Sequence, residues 1–250
     1  MFSVADVGQF RRDGYIVARQ LAAPAECAEI RAIAERDLGA AKAPVEYEAD
    51  TRYPGAPASL DAPGGRTVRR LLQAHARDPL IARWATQPAI GARLQQLIGP
   101  RVELAQAHHN CVMTKNPRYS SDTQWHQDIR YWSFERPELV SVWLALGREY
   151  FENGCLLVLP DTQTMEFARE QLDGDLFWRA EHAENKKLLA TQRTVELEPG
   201  DVLFFHCRLL HAAGDNRSSE TKFSLVSTYH AADNRPLPGT RSASVPDIPL

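Results

Sequence analysis

At 250 residues, 44% of them hydrophobic, the chain is long enough to build one domain around a substantial core. Its formal net charge of −3 leaves no basic surplus, so bulk charge gives no support to a nucleic-acid or membrane-surface role. The four cysteines (Cys27, Cys111, Cys155, Cys207) are scattered without a C-x-x-C pair, which argues against a disulfide framework or thiolate zinc site and makes a reducing compartment the default.

The first residues, MFSVADVGQFRRDG, lack the basic start and apolar run of a signal peptide, and no stretch approaches the roughly 18 apolar residues of a membrane span. A cytoplasmic chain is therefore expected. Ser3 is placed to cap a short helix through Arg12, and GYIVAR (14–19) is a β-branched burst after a glycine, expected to be a strand. From Pro24 to Ala41, Ile30, Ile33 and Leu38 recur at near-helical intervals. Residues 50–65, rich in Pro, Gly and Ala, read as a loop long enough to be a functional lid, and Arg66, Arg69 and Arg70 follow it. A second helical zone is expected from Val68 to Ile98, in two pieces broken near Pro88.

After Gly99-Pro100 the pattern changes to short β-rich runs: VELAQAHHNCVM, VSVWLALG, CLLVLP, TVELE, DVLFFH and KFSLVSTYHA. Turn signals such as Glu152-Asn153-Gly154 and Glu198-Pro199-Gly200-Asp201 separate them, which predicts an antiparallel sandwich or barrel. A helical insert is expected near Met165–Leu172, and RPLPGTRSASVPDIPL reads as an extended arm. The expected organisation is one domain over 1–250, mainly β with a helical wrapper: 1–100 mostly helical wrapper and lid, 101–232 β core, 233–250 arm.

Within the β-rich part, His126-Gln127-Asp128 sets a histidine and a carboxylate at i and i+2, which share one face of a strand. Alone, H-x-D is a common chance pattern. A third ligand would complete the 2-His-1-carboxylate face characteristic of non-haem Fe(II) oxygenases. His182, His206, His211 and His230 lie downstream. His211 is preferred, with His206 the alternative, because Lys222 and Ser224 follow His211 at the head of the last β-rich run. A cation and a hydroxyl at i and i+2 suit a buried carboxylate; the plain alternative for Lys222 is a solvated edge charge.

These pieces together resemble the phytanoyl-CoA dioxygenase family of Fe(II)/2-oxoglutarate oxygenases. The matching stretches are WHQDIRYWSF (125–134), VSVWLALG (140–147), ENGCLLVLPDT (152–162) and GDVLFFHCRLLHAAGDNRS (200–218), with the strand starting at Lys222. The resemblance implies a double-stranded β-helix (jelly roll, cupin-like) core with iron held by His126, Asp128 and His211. It implies a dioxygenase that uses dioxygen and decarboxylates 2-oxoglutarate to succinate while hydroxylating a small-molecule substrate. Lys222 falls where the family usually carries the arginine that grips the far carboxylate of 2-oxoglutarate. Lysine offers a point charge in place of a planar fork. Ser224 and Arg217 are further candidates for that contact, and Ala213 replaces a serine often found two residues past the distal histidine. Trp143 matches a tryptophan of the co-substrate pocket, and His108 and Arg70 fall near pocket positions. Asp128 argues against the related halogenases, which replace this carboxylate with a small residue. Arg130, which continues the face of His126 and Asp128 if the strand persists, and Trp132 are candidates for substrate binding, with Tyr131 and Phe134 beside them. The alternatives left open are a metal-dependent cupin-type enzyme that uses no 2-oxoglutarate, and a non-catalytic ligand-binding barrel.

Overall fold

The computed structural model describes residues 1–51 and 53–250; Arg52, inside the 50–65 loop, lies outside the described residues. Thirteen strands are described: β1 (Tyr15–Ala18), β2 (Val45–Tyr47), β3 (Val68–Leu72), β4 (Val102–Leu104), β5 (Asn110–Lys115), β6 (Thr123–His126), β7 (Leu139–Ala145), β8 (Leu156–Leu159), β9 (Arg193–Val195), β10 (Val202–His206), β11 (Leu210–Ala213), β12 (Lys222–Ala231) and β13 (Ile248–Pro249). They form two antiparallel sheets. The larger runs β1-β10-β7-β12-β5-β3-β2, with β4 on the far half of β12 and β13 on β4. The smaller runs β6-β11-β8-β9. The two facing sheets make the jelly-roll core.

Period-2 alternation assigns each side chain of the larger sheet to one of two layers. On β12, Phe223, Leu225 and Tyr229 join the apolar layer under the helices, whereas Val226 packs with Trp143, Leu203 and Phe205 between the sheets. Every residue of β7 and β12 is buried, so both faces of these strands are covered. The helical layer is α1 (Val4–Asp13), α2 (Pro24–Gly39), α3 (Ala74–Arg77), α4 (Pro79–Thr86) and α5 (Pro88–Ile98); a short α6 (Asn185–Leu189) lies at the other sheet. Ser3 caps α1 in a capping box with Asp6, and α2, α4 and α5 each begin at a proline, whose missing N–H costs nothing in the first turn. Tyr229 ties the layers together, its hydroxyl donating to the Ala85 carbonyl at 2.7 Å.

Three expectations change. Residues 68–72 form β3, a strand between β2 and β5, where a helix was expected. Its charged sequence, VRRLL, is stabilised from a distance: Arg69 pairs with Glu48 at 3.2 Å and Arg70 with Glu46 at 3.2 Å. The first hundred residues therefore contribute three strands, not one. At 165–172 there is only a 3-10 turn, Arg169–Gln171. The C-terminal segment ends as β13 against β4, with His230 Nε2 3.1 Å from Asp247 Oδ2. No helix among the described residues is long and apolar enough to cross a membrane.

Candidate active site

His126 ends β6 and His211 lies on β11, as direct partners across the strand pair. Asp128 does not continue the strand. It opens a 3-10 turn, Asp128–Tyr131, because Ile129 N–H turns to the Cys207 carbonyl (3.1 Å) and Arg130 N–H to that of Gln127 (3.3 Å). The face-sharing expected of His126, Asp128 and Arg130 on one extended strand is thus replaced by a turn, which still delivers the Asp128 carboxylate to the histidines.

The three side chains are buried, and their ligand atoms lie within 4.8 Å of one another. His126 Nε2 is 3.6 Å and His211 Nε2 3.7 Å from Asp128 Oδ1. The other ring nitrogens fix the tautomers. His126 Nδ1 is 2.8 Å from the Gln124 carbonyl and His211 Nδ1 is 3.0 Å from the Leu209 carbonyl. A carbonyl only accepts, so each Nδ1 carries the proton and each Nε2 turns a lone pair toward Asp128. Burial, and then the neighbouring His211, pushes His126 down to about 3, and burial also lowers His211, so both rings are neutral. Two neutral imidazoles and one carboxylate fit a divalent ion of the iron type with positions left open.

His109 is a fourth member that motif reading missed. Its Nε2 lies 3.0 Å from Asp128 Oδ1. Burial opposes charge on this ring, but the Asp128 charge and hydrogen bond outweigh it and lift His109 to about 9. Burial likewise opposes charge on Asp128, yet the charge of His109 and its hydrogen bond hold it well below the usual carboxylate range. The available signal was periodicity: His109, immediately before β5, continues the i, i+2 spacing of Cys111, Met113 and Lys115 on that strand. His206, the alternative third ligand, stands elsewhere, its ring 6.4 Å from Phe10.

The cavity behind the triad is lined by Arg70, Met113, Lys115, Trp143, Ala213 and Lys222, among others. Here the structure adds a residue the motifs did not indicate. Lys222 Nζ donates to Glu149 Oε2 (3.1 Å), while Ser224 Oγ (2.6 Å) and Trp143 Nε1 (2.9 Å) donate to Glu149 Oε1. Lys222 and Ser224, expected to receive a co-substrate carboxylate, and Trp143, expected in the same pocket, are brought together, but around a carboxylate of the chain itself. Arg70 reaches the same cavity while paired with Glu46. Arg217 does not reach it: the side chain is 58% exposed, beside Asp215 and over Phe151.

A second cleft opens on the other side of Asp128, between His108, Arg130, Tyr131, Trp132 and Tyr53. His108 stacks on Trp132 at 4.9 Å and accepts or donates at Ser242 Oγ (2.8 Å), so it walls this cleft, away from the inner cavity. Arg130 lies over the rings of Phe177 (3.7 Å to the centroid) and Tyr131 (4.4 Å). All three of its guanidinium nitrogens are buried with no hydrogen-bond acceptor among the described residues. Phe177 also packs on His126 and on Tyr53, so these two aromatic rings meet beside the triad.

The sequence profile of the phytanoyl-CoA dioxygenase (PhyH) family matches residues 10–224. A probable phytanoyl-CoA dioxygenase of Caenorhabditis elegans is 29% identical over 171 residues, covering 65% of this chain and 54% of that protein. The ectoine dioxygenase of Sphingopyxis alaskensis is 25% identical over 253 residues, covering 93% of this chain and 77% of that protein. Among solved structures, the epimerase SnoN in complex with Fe3+, alpha ketoglutarate and nogalamycin RO superposes with a TM-score of 0.74 at 25% identity, covering 98% of this chain and 94% of that one. The chain spans about half the length of the phytanoyl-CoA dioxygenases it matches.

Proposed function

The chain belongs to the phytanoyl-CoA dioxygenase family, and from that premise we propose that it is an Fe(II)- and 2-oxoglutarate-dependent oxygenase that hydroxylates a small molecule carrying an anionic group. The observation that carries this reading is the buried triad with both Nε2 lone pairs and the Asp128 carboxylate convergent. His126, Asp128 and His211 would hold the metal. Bound Fe(II) would supply the redox chemistry that couples 2-oxoglutarate and dioxygen to succinate, carbon dioxide and a hydroxylated substrate.

The remaining residues bind, orient and exclude water. His109 keeps its Nε2 proton on Asp128 Oδ1 and so orients the carboxylate. Phe177 and Phe205 pack on the two ligand histidines and keep them dry. Arg130, buried without an acceptor beside Asp128, is the candidate receptor for a substrate anion: a desolvated guanidinium without a partner is costly unless a ligand supplies one. Trp132 walls the same cleft. All four cysteines are free and buried, which fits a reducing compartment such as the cytoplasm.

The test is succinate formation from 2-oxoglutarate in the purified protein. It is expected to require Fe(II) and dioxygen and to vanish in Asp128→Ala. Turnover by Asp128→Ala at the wild-type rate would remove the triad from the mechanism. A second reading, a metal enzyme that uses no 2-oxoglutarate, is favoured by one observation, the occupation of Lys222, Ser224 and Trp143 by Glu149. It predicts triad-dependent metal binding with no succinate.

A further inference from the structure

Lys115 and Lys222 are direct partners across β5 and β12, on the face between the sheets, and both line the cavity behind the triad. Like charges directly opposite one another destabilise a sheet, and burial raises that cost. Glu149 neutralises one of them, Lys222. Lys115 is 7% exposed, and its hydrogen bond goes to the Ser121 carbonyl at 2.9 Å. No carboxylate among the described residues comes within ion-pair distance of it: Glu48, the nearby acid, pairs with Arg69 and accepts from Ser121. Burial, followed by the charges of Arg69 and Lys222, brings the Lys115 ammonium down to about 7.

The fold goes to some length to keep this lysine inside. Gly154 adopts φ +73°, and a Cβ there would lie 2.8 Å from Lys115 Cδ, so the turn before β8 is open for the lysine stem. Asn216 Nδ2 donates to the Lys115 carbonyl at 2.8 Å, fixing the strand end from which the side chain departs. The cavity runs from Lys115 to His126 and His211. A molecule with a chelating head at the triad and a second carboxylate at its tail therefore meets a free buried cation at its far end.

Resting on the function proposed above, we infer that Lys115, not Lys222, receives the distal carboxylate of 2-oxoglutarate. Glu149 is the standing occupant of the Lys222–Ser224–Trp143 anchor. Of the cations that line the cavity, Arg69 pairs with Glu48, Arg70 with Glu46 and Lys222 with Glu149, and the co-substrate is the anion for Lys115.

The test is anaerobic calorimetric titration of the Fe(II)-loaded protein with 2-oxoglutarate and with 2-oxopentanoate, which has the same keto-acid head but no distal carboxylate. Wild type should prefer 2-oxoglutarate by about 10- to 150-fold, the range of a charge-assisted hydrogen bond. Lys115→Met should abolish that preference and leave 2-oxopentanoate affinity unchanged, and Lys115→Arg should restore part of it. The double variant Lys222→Met, Glu149→Met removes the internal pair together and should keep the preference. Without ligand, Lys115→Met should also melt at a higher temperature than wild type, because it removes an uncompensated buried charge. The assignment is overturned if Lys115→Met keeps the preference, if the double variant loses it, or if wild type binds both acids equally. A lower melting temperature in both Lys115→Met and Lys115→Gln would make the lysine structural and overturn it as well. A wild-type protein that retains Fe(II) but binds neither acid would instead overturn the 2-oxoglutarate reading beneath it.

Discussion

Replacing Glu149 by glutamine keeps the shape of the side chain and an oxygen for Trp143 and Ser224, but removes the charge opposite Lys222. The Glu149 side chain is 0% exposed and that of Lys222 4%, so solvent screens little of the loss. Breaking a buried pair from one side costs about 3–5 kcal/mol. The penalty is therefore about 3–5 kcal/mol. Urea denaturation of wild type and Glu149→Gln reads this directly as a lower unfolding free energy in the variant. A loss below about 1 kcal/mol would mean that the pair is solvated or that the carboxylate is not its counter-charge.

Arg130→Met should raise the KM for the substrate at least tenfold while leaving Fe(II) content and substrate-independent succinate formation intact, as seen in steady-state kinetics beside metal analysis. At Gly154, φ +73° and the Gly214 carbonyl 2.5 Å from a would-be Cβ mean that Gly154→Ala should cost about 1–3 kcal/mol in urea denaturation. Because the same Cβ presses on Lys115, that variant should weaken 2-oxoglutarate binding as well. For His230, burial opposes charge but Asp247 raises it above the ordinary histidine value, so this pair stabilises the folded arm most at low pH and releases that contribution as pH rises through the raised value. Hydrogen exchange at Ile248 and Leu250 should accelerate with pH beyond the intrinsic rate in wild type, and Asp247→Asn should remove that excess.

Much of this architecture was legible because its signals are local. The runs at β7 and β10 are apolar along most of their length, and every residue of β7 and β12 is buried, since helices cover one face and the second sheet the other. His126 and Asp128 stand two apart, and His211 is followed by a lysine that opens the last long strand. Non-local partners hid the rest. The strand VRRLL looks unlike a buried strand until Glu46 and Glu48 are placed against its arginines. Glu149 reads as one more polar residue before a turn, because Lys222 and Ser224, which identify it as an internal anion, lie 73 and 75 residues away. Lys115 reads as the charged end of a strand, and only the register opposite Lys222 shows that two cations share one cavity. Arg130 was assigned to a strand face that the turn at Asp128 abolishes, yet the turn leaves it beside the triad cleft.

The most direct measurement of the central claim is anaerobic addition of Fe(II), and then 2-oxoglutarate, to the metal-free protein, followed by visible absorption and by metal analysis after gel filtration. Wild type should retain the iron and develop a charge-transfer band only when 2-oxoglutarate is added, and Asp128→Ala should do neither. Iron retention by Asp128→Ala equal to wild type, or an iron-loaded wild type whose spectrum 2-oxoglutarate leaves unchanged, would contradict that claim.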